Sequence, residues 1–329
     1  MSSSLETTPS SSHSKPFTIF GLTKSAFGDK LFHGITAFFA FLILALAFMT
    51  AFTLWKAAGP SIHSMGWGFL TTQTWDPIHQ VFGSVSFVYG TLMSSLLALL
   101  IATPLGLGIS LFLTELAPLK LRGPVAFIIE ILAAIPSVVY GLWGIFLLAP
   151  FMRVYIDPFL IKFIGAPFFK GPSTGLSLLT AGVILAIMIL PTITAISREV
   201  FEAVPNQYRE AARALGATSW ETMALAVLKP SKVGVLGAIM LALGRALGET
   251  MAVTMVIGNK PLVSINLLDP SHSMASVIAN EFSEAVSDLH VSALAEIGLL
   301  LMVITLALNI IANLLVWLTT QKFQNIKHH

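Results

Sequence analysis

The sequence has few charged residues and no cysteine, and both shortages narrow the class of protein. Only 10% of the 329 residues are charged, whereas 55% are hydrophobic and the mean hydropathy is +0.85. A soluble globular domain carries about 25% charged residues, so this balance excludes a soluble protein. The lack of cysteine excludes disulfides and thiolate metal sites. The net charge of +2 is too small to suggest nucleic-acid binding.

Sequence motifs for ATP binding and for metal-dependent hydrolysis are also missing. No G-x-x-x-x-G-K-[ST] sequence occurs, so the chain has no P-loop of its own in which to hold ATP. No H-E-x-x-H sequence occurs, and the eight histidines lie in tails and loops without the spacing of metal ligands. No nucleophile–base pair can be argued from the remaining residues. We therefore expect a channel, a transporter or a scaffold without a cofactor, rather than an enzyme.

Long apolar windows, by contrast, are abundant. A helix needs about 20 apolar residues to cross the ~30 Å hydrocarbon core of a bilayer, and six windows are long enough. They cover residues 32–55, 83–113, 124–150, 176–197, 233–258 and 293–318. Pro136 predicts a kink or a break in the third window. The pattern predicts an all-α, polytopic membrane protein, with a six-span domain over 31–320 between a Ser/Thr-rich tail, 1–30, and a C-terminal tail, 321–329.

The distribution of lysine and arginine predicts the orientation of these spans. With the N-terminus inside, twelve of the eighteen basic residues lie in inner segments and five in outer segments, as the positive-inside rule requires. Both termini and a long loop at 198–232 are therefore predicted to be cytoplasmic. Outer loops are predicted near 56–82, 151–175 and 259–292. The last contains an amphipathic helical pattern over 273–289, which fits either a helix on the membrane surface or a lid or docking surface.

An arginine and a glutamate lie deep in the fifth window. Ionisable residues at a span centre cost about 2.5–3.5 kcal/mol each, so they are candidate functional residues. Arg245 and Glu249 are four residues apart and would share one face of a continuous helix, with Glu249 holding Arg245 in place. Gly244 and Gly248 form a G-x-x-x-G pair, which predicts close packing of two helices. The residue types of Arg245 and Glu249 support two interpretations about equally: a functional site, and a structural ion pair at a helix contact.

Other polar residues in the spans are weaker candidates. Glu130 lies near the predicted cytoplasmic end of the third window, where snorkelling or a structural hydrogen bond is the commoner role. Several hydroxyl and amide side chains could line a polar path, although most such groups in membrane helices bond to nearby backbone. These residues are Tyr89, Ser94, Ser137, Tyr140, Thr192 and Asn259.

The predicted cytoplasmic loop contains two short helical patterns. The first runs from Asn206 to Leu215 after Pro205 and ends at Gly216, and the second covers 219–228. An arbitrary loop of this kind is usually a plain helical connector. Within the first pattern, however, Glu210, Ala211, Ala212 and Gly216 resemble the EAA loop of ABC importer permeases. In that family the loop forms a coupling helix that docks on the ATPase subunit.

Further stretches narrow the resemblance to permease subunits of ABC-type phosphate importers. The similar stretches are 112–118, 130–150, 186–191, 244–253 and 276–282, within a resemblance that covers about residues 80–318. Their combination is typical of the phosphate branch and of one of its two permeases. One departure is that Pro230 follows Leu228 one position later than the Leu-Pro pair of the family.

The resemblance implies a type I permease fold and a role in high-affinity import of inorganic phosphate across the bacterial inner membrane. It implies a PstA-like permease as heterodimer partner, two PstB-like ATPase subunits that hydrolyse the ATP, and a periplasmic PstS-like phosphate-binding protein. It places Arg245 and Glu249 in the substrate path, where Glu249 would keep the anion from binding too tightly. It assigns ATPase coupling to Glu210, Ala211, Ala212 and Gly216.

Two alternatives stay open at this point. A permease for another oxyanion, sulfate or molybdate, would share the fold and the EAA loop. An ATP-independent anion channel or a membrane scaffold belongs to a different class, and the EAA loop argues against it because a channel needs no docking helix.

Overall fold

The computed structural model describes residues 26–325, and most of them are helical. The chain divides into a first unit that ends at Thr50 and a second that begins at Ala51. The described part of the first unit belongs to helix α1, Ala26–Met65, whose large apolar side chains are exposed, as in a helix that faces lipid. Thr36 donates its hydroxyl to the carbonyl of Phe32, four residues earlier in the same helix.

The second unit continues through helices joined by short connections and one β-hairpin. In chain order these elements are α2 (Gly68–Thr71), β1 (Trp75–Asp76), β2 (Val81–Phe82), α3 (Val85–Leu111), α4 (Leu119–Ala134), α5 (Ser137–Trp143), α6 (Ala149–Phe151), α7 (Asp157–Phe163), α8 (Leu178–Glu202), α9 (Asn206–Ala214), α10 (Ser219–Thr222), α11 (Lys232–Leu247), α12 (Met251–Val256), α13 (Met274–Glu281) and α14 (Asp288–Asn325). Strands β1 and β2 pair antiparallel. Single π-helical turns extend α3 and α10 and join α5 to α6 and α6 to α7.

Five helical segments of the described chain are long and apolar enough to cross a membrane. They are Lys30–Met65, Val85–Leu116, Ser137–Phe163, Leu178–Glu202 and Asp288–Leu318. Ser219–Leu228 and Lys232–Leu247 form a pair bent by 74°, which makes a sixth span if it is counted as one. The prediction of six spans is met on that count.

Two predicted windows have different bounds in the structure. Pro136 separates α4 from α5, because a proline disfavours helical backbone in the preceding residue and Ile135 is extended. The third candidate span therefore begins at Ser137, and its helical course continues to Phe163 through a stretch predicted to be an outer loop. The fifth window is not one helix, because it breaks between Leu247 and Met251.

Helices α3 and α8 pack closely against each other in the core. A Cβ atom on Gly182 would lie 2.8 Å from Cβ of Leu97, and one on Gly106 would lie 2.8 Å from Cγ2 of Ile193. One glycine on each helix thus lets the two backbones approach closely, the packing that small residues permit in membrane proteins. Ile184, Leu185 and Ile189 of α8 are fully buried in this core.

The hairpin and α13 pack together at one end of the second unit, which we call the hairpin end. Met274 and Val277 are fully buried against Phe69, Phe82 and Phe87. Ser273 caps α13 through a reciprocal capping box with Ser276. The prediction of one helix over 273–289 was wrong: α13 ends at Glu281, and its apolar face lies in the protein core and not on a membrane surface.

Backbone hydrogen bonds connect this end to α8. Leu178 N donates to Asp269 O at 3.1 Å, and Leu179 N donates to Leu267 O at 2.9 Å. These bonds satisfy N–H groups at the start of α8 that have no partner within the helix. The opposite end, which carries α9 and α10, has its own small core of Phe201, Val227 and Val235. We call it the loop end.

Candidate functional site

The break in the fifth window is the first feature of the candidate site. Helix α11 ends at Leu247, Gly248 is its C-cap residue, and α12 begins at Met251. The residues between them leave helical hydrogen bonding in a stretch predicted to lie at hydrocarbon depth. Irregular backbone is tolerated at that depth only inside protein or beside water. Interrupted helices of this kind frame the substrate sites of many transporters.

Arg245 lies in the last turn of α11 and is exposed in this chain. Its cationic side chain complements the negative end of the helix dipole there. One hydrogen bond holds it: Nη1 donates to Oγ1 of Thr192 on α8 at 3.2 Å. A guanidinium carries five N–H donors, so most of those of Arg245 have no acceptor among the described residues.

Glu249 does not hold Arg245, contrary to the prediction. Because α11 ends before Glu249, the two residues do not share a helical face, and they form no ion pair in the described part of the chain. Oε1 of Glu249 instead accepts from Ala252 N at 3.3 Å, in the first turn of α12. A carboxylate at a helix N-terminus is favourable because the backbone N–H groups there have no helical partner.

The G-x-x-x-G pair does not mark a packing face within this chain. A Cβ atom on Gly244 would meet nothing within 4 Å, and one on Gly248 would meet only the carbonyl oxygen of Gly244, at 3.7 Å. The close approach lies elsewhere, where α5 meets α12: a Cβ on Gly141 would collide with Met255, and one on Gly144 with Val256. Close packing of another helix against Gly244 and Gly248 therefore stays a prediction, which a helix of a second subunit would have to meet.

Glu130 does not join the other two candidate path residues. It lies exposed near the C-terminal end of α4, before the break at Pro136, and outside the third candidate span. In the described chain it makes no hydrogen bond or ion pair with Arg245 or Glu249. The candidate site therefore centres on Arg245, Thr192 and Glu249.

The EAA sequence forms the helix that was predicted for it. Helix α9 covers Asn206–Ala214 and has no buried residue, so Glu210 and Ala211 are exposed and Ala212 is half-buried. Gly216 has φ +86°, a left-handed conformation that glycine adopts without strain and that ends the helix. Leu215 is 89% exposed, which leaves a large apolar side chain at the tip of the loop.

Arg209 attaches this exposed helix to the rest of the protein. It forms an ion pair of 2.9 Å with Glu115, which follows α3, and the two side chains are only 12% and 6% exposed. Its Nη2 donates to Phe201 O at 2.8 Å and its Nη1 to Val204 O at 2.5 Å. The guanidinium thereby joins three segments of the chain and positions α9.

A polar cavity of about 430 Å³ surrounds this ion pair. Three arginines and three glutamates contribute to its lining, which consists of Thr114, Glu115, Arg122, Glu202, Asn206, Arg209, Glu210 and Arg213. The mixed charges make it a suitable surface for a partner protein at the loop end, because complementary charge fixes the register of an interface.

Sequence reasoning missed the pairing of Glu115 with Arg209 and of Thr192 with Arg245. Both pairs join helices far apart in the sequence, which no periodicity reveals. The one signal in the sequence that could have singled out Glu115 is its position at the end of an apolar span. Glu296, which is 9% exposed at the start of the last span, was also missed.

Comparison with known proteins identifies the family to which this chain belongs. Residues 102–323 match the family described as binding-protein-dependent transport system inner membrane component, and the chain belongs to that family. That description names an inner membrane component of a transport system that depends on a binding protein.

Curated relatives narrow the family further. The chain is 44% identical over 319 residues to the phosphate transport system permease protein PstC of Mesorhizobium japonicum, covering 95% of this chain and 96% of the relative. It is 47% identical over 293 residues to PstC of Pasteurella multocida, covering 88% and 91%. A relative from Methanocaldococcus jannaschii, named a probable PstC, is 38% identical over 259 residues, covering 77% and 82%.

Two solved structures share the fold at low identity. A chain of the MetNI methionine ABC transporter, in an inward-facing conformation, has a TM-score of 0.54 at 18% identity, with 74% of this chain and 98% of that chain covered. A chain of a bacterial alginate ABC transporter has a TM-score of 0.58 at 15% identity, with 89% and 96% covered. These matches support the ABC permease fold alone.

Proposed function

We propose that this chain is one of two permease subunits of an ATP-driven importer of inorganic phosphate in the bacterial inner membrane. The observation that carries the proposal is Arg245, a permanent cation at a helix break with most of its donors open. Curated relatives named phosphate transport system permeases cover nearly the whole chain. A guanidinium binds phosphate oxygens in a bidentate geometry, which suits it to this anion.

Within this proposal, Arg245 compensates the charge of phosphate as it passes, and Glu249 favours release. A transport site must bind its ligand weakly enough to let it leave. A carboxylate four residues from the cation, at the start of α12, opposes tight anion binding without neutralising Arg245. Glu130 also stays a candidate residue of the substrate path, but it lies near the end of α4 and has no contact with Arg245 or Glu249 among those described.

The proposed partners follow from the surfaces that this chain leaves open. The exposed side of α11 at Arg245 and Gly248 is available to a PstA-like second permease. Helix α9 and the charged cavity are available to one of two PstB-like ATPase subunits, with Glu210, Ala211, Ala212 and Gly216 at the contact. We also propose that both termini and α9 lie in the cytoplasm, as the distribution of basic residues predicts, and that the hairpin end faces outward, where a PstS-like protein delivers phosphate.

The substrate is tested with the complete transporter in proteoliposomes that contain ATP. We expect binding protein loaded with phosphate to stimulate ATP hydrolysis and uptake, and sulfate and molybdate to have no effect. Equal stimulation by sulfate would assign the chain to another oxyanion, and uptake without any ATPase subunit would indicate a channel.

The coupling role is tested separately with Glu210→Lys. We expect ATP hydrolysis to persist while phosphate uptake is lost, and deletion of 205–216 to abolish co-purification of the ATPase. Glu199→Lys, which reverses an exposed charge on α8 outside the charged cavity, is the matched control and should transport normally. If Glu210→Lys still couples ATP hydrolysis to phosphate uptake, α9 is a plain helical connector and not a coupling helix.

A further inference from the structure

The hydroxyl of Thr192 differs from those of most threonines in the spanning helices. Thr91, Thr194, Thr254 and Thr305 each donate their hydroxyl hydrogen to the carbonyl four residues earlier, at 2.7–2.8 Å. This is the usual way in which a helix satisfies a threonine without a partner. Thr192 makes no such bond in the described chain.

Thr192 instead accepts a hydrogen bond from Arg245. A threonine hydroxyl has one hydrogen to donate and two lone pairs with which to accept. The Nη1–H of Arg245 occupies one lone pair across 3.2 Å, and the hydroxyl hydrogen has no acceptor among the described residues. The half-buried side chain therefore presents an unused O–H donor immediately beside an exposed guanidinium.

Two neighbouring donors of this kind match the surface of a tetrahedral oxyanion. A guanidinium donates to one or two oxygens, and an adjacent hydroxyl reaches another oxygen of the same ion. The bond from Arg245 polarises the hydroxyl and makes it a better donor, because hydrogen bonds in a chain strengthen one another. No other side chain of the described residues makes a hydrogen bond to the guanidinium of Arg245.

We propose that Thr192 donates its hydroxyl hydrogen to the phosphate ion held at Arg245, and so acts as a second phosphate ligand in the transport path. The proposal rests on the proposed function, because it requires phosphate to pass Arg245. Thr192 also positions the guanidinium, so that both donors face the same oxyanion.

The test compares Thr192→Val with Thr192→Ser in the complete transporter. Valine keeps the shape but removes the hydroxyl, whereas serine retains both the donor and the acceptor. A hydrogen bond to a charged group is commonly worth about a tenfold change or more, so we expect Thr192→Val to lower the maximal phosphate uptake rate about tenfold. ATP hydrolysis should fall less than uptake, and Thr192→Ser should restore transport.

Thr194→Val is the matched control, because it lies on the same helix and removes only a bond to Leu190 O. It should assemble and transport like the wild type. Normal uptake by Thr192→Val would overturn the proposal, and so would a failure of Thr192→Ser to recover transport in an assembled complex.

The two proposals fail in different ways. Arg245→Gln tests whether phosphate passes this site, and uptake at the wild-type rate would refute the proposed path and, with it, the role of Thr192. Loss of uptake in Arg245→Gln together with normal uptake in Thr192→Val would refute only the role of Thr192. Co-purification of the ATPase with each variant separates a loss of transport from a loss of assembly.

Discussion

Two regions of the molecule are each built around an arginine, and they use it in opposite ways. At the loop end, Arg209 is nearly buried and donates to Glu115, Phe201 O and Val204 O. At the break after α11, Arg245 is exposed and donates only to Thr192 among the described residues. A cation whose donors are all used inside the protein fixes structure, whereas one whose donors remain open is suited to a ligand.

The comparison explains why Arg209 sits beside the exposed coupling helix. Helix α9 has only nine residues and buries none of them, and isolated helices of that length are marginal in water. A buried ion pair with Glu115 and two backbone carbonyls fixes its position without covering the outer face. That face is then free for the proposed ATPase contact, and in our proposal a displacement of α9 would reach the end of α3 through Arg209.

The largest expected effect is on transport, in Arg245→Gln. Because the side chain has one neutral hydrogen bond within the chain, its loss should leave the thermal unfolding temperature and the assembly of the complex nearly unchanged. Phosphate uptake in proteoliposomes should fall about 100-fold or more, since the cation that compensates the anion is lost. A large drop in unfolding temperature would place Arg245 in the same structural class as Arg209.

The next effect is on stability, in Glu115→Gln. Removing one partner of a buried ion pair leaves the other charge uncompensated and typically costs about 3–5 kcal/mol. Thermal unfolding in detergent should show this loss, together with weaker co-purification of the ATPase. Arg198→Gln is the control, because its pair with Glu202 is 32% and 49% exposed and should cost less than about 1 kcal/mol. If Glu115→Gln and Arg198→Gln lost equal amounts of stability, the buried ion pair would contribute no more than the exposed one, which would contradict the structural role of Arg209.

A buried histidine at the hairpin end provides a third case, because it is shielded from solvent and one of its ring nitrogens has no hydrogen-bond partner among the described residues. His272 is 3% exposed against the ring of Phe87, and its Nε2 has no partner in the described chain. Burial lowers the pKa of His272 from 6.5 to about 4. Between these values the unfolded chain binds a proton that the folded chain does not, so stability is complete above pH 6.5 and falls as the pH drops toward 4.

That difference in pKa corresponds to about 3 kcal/mol at most. The unfolding temperature of the wild type should therefore be lower at pH 5 than at pH 7.5. In His272→Gln, which does not titrate, the decrease should be clearly smaller. A decrease of the same size in both proteins would show that other groups cause it.

The smallest expected effect is that of Glu249→Gln on stability. Its carboxylate accepts a long hydrogen bond at the start of α12, and such interactions are worth about 0.3–1 kcal/mol. The unfolding temperature should change little, in contrast to Glu115→Gln. A loss as large as that of Glu115→Gln would mean that Glu249 belongs to the structural class.

Local sequence predicted the parts of the site that depend on local physics. The number of spans follows from hydropathy, and the short helix predicted from Asn206 to Leu215 and its stop at Gly216 follow from proline and glycine, which act within one or two turns. The same reasoning failed at the fifth window, where apolar residues run on although the helix ends at Leu247. Hydropathy reports whether a segment is apolar, and it does not report whether its backbone is continuous.

The class of protein was therefore determined by the sequence itself: a low charge content, long apolar windows and the EAA loop indicate an ABC permease before any coordinates. The tertiary structure alone decided the partners of its charged groups. It paired Arg209 with Glu115 and Arg245 with Thr192, and it separated Arg245 from Glu249. The physical reason is that hydrogen bonds and ion pairs depend on distances between helices, which residues 53 to 94 positions apart in the chain acquire only on folding.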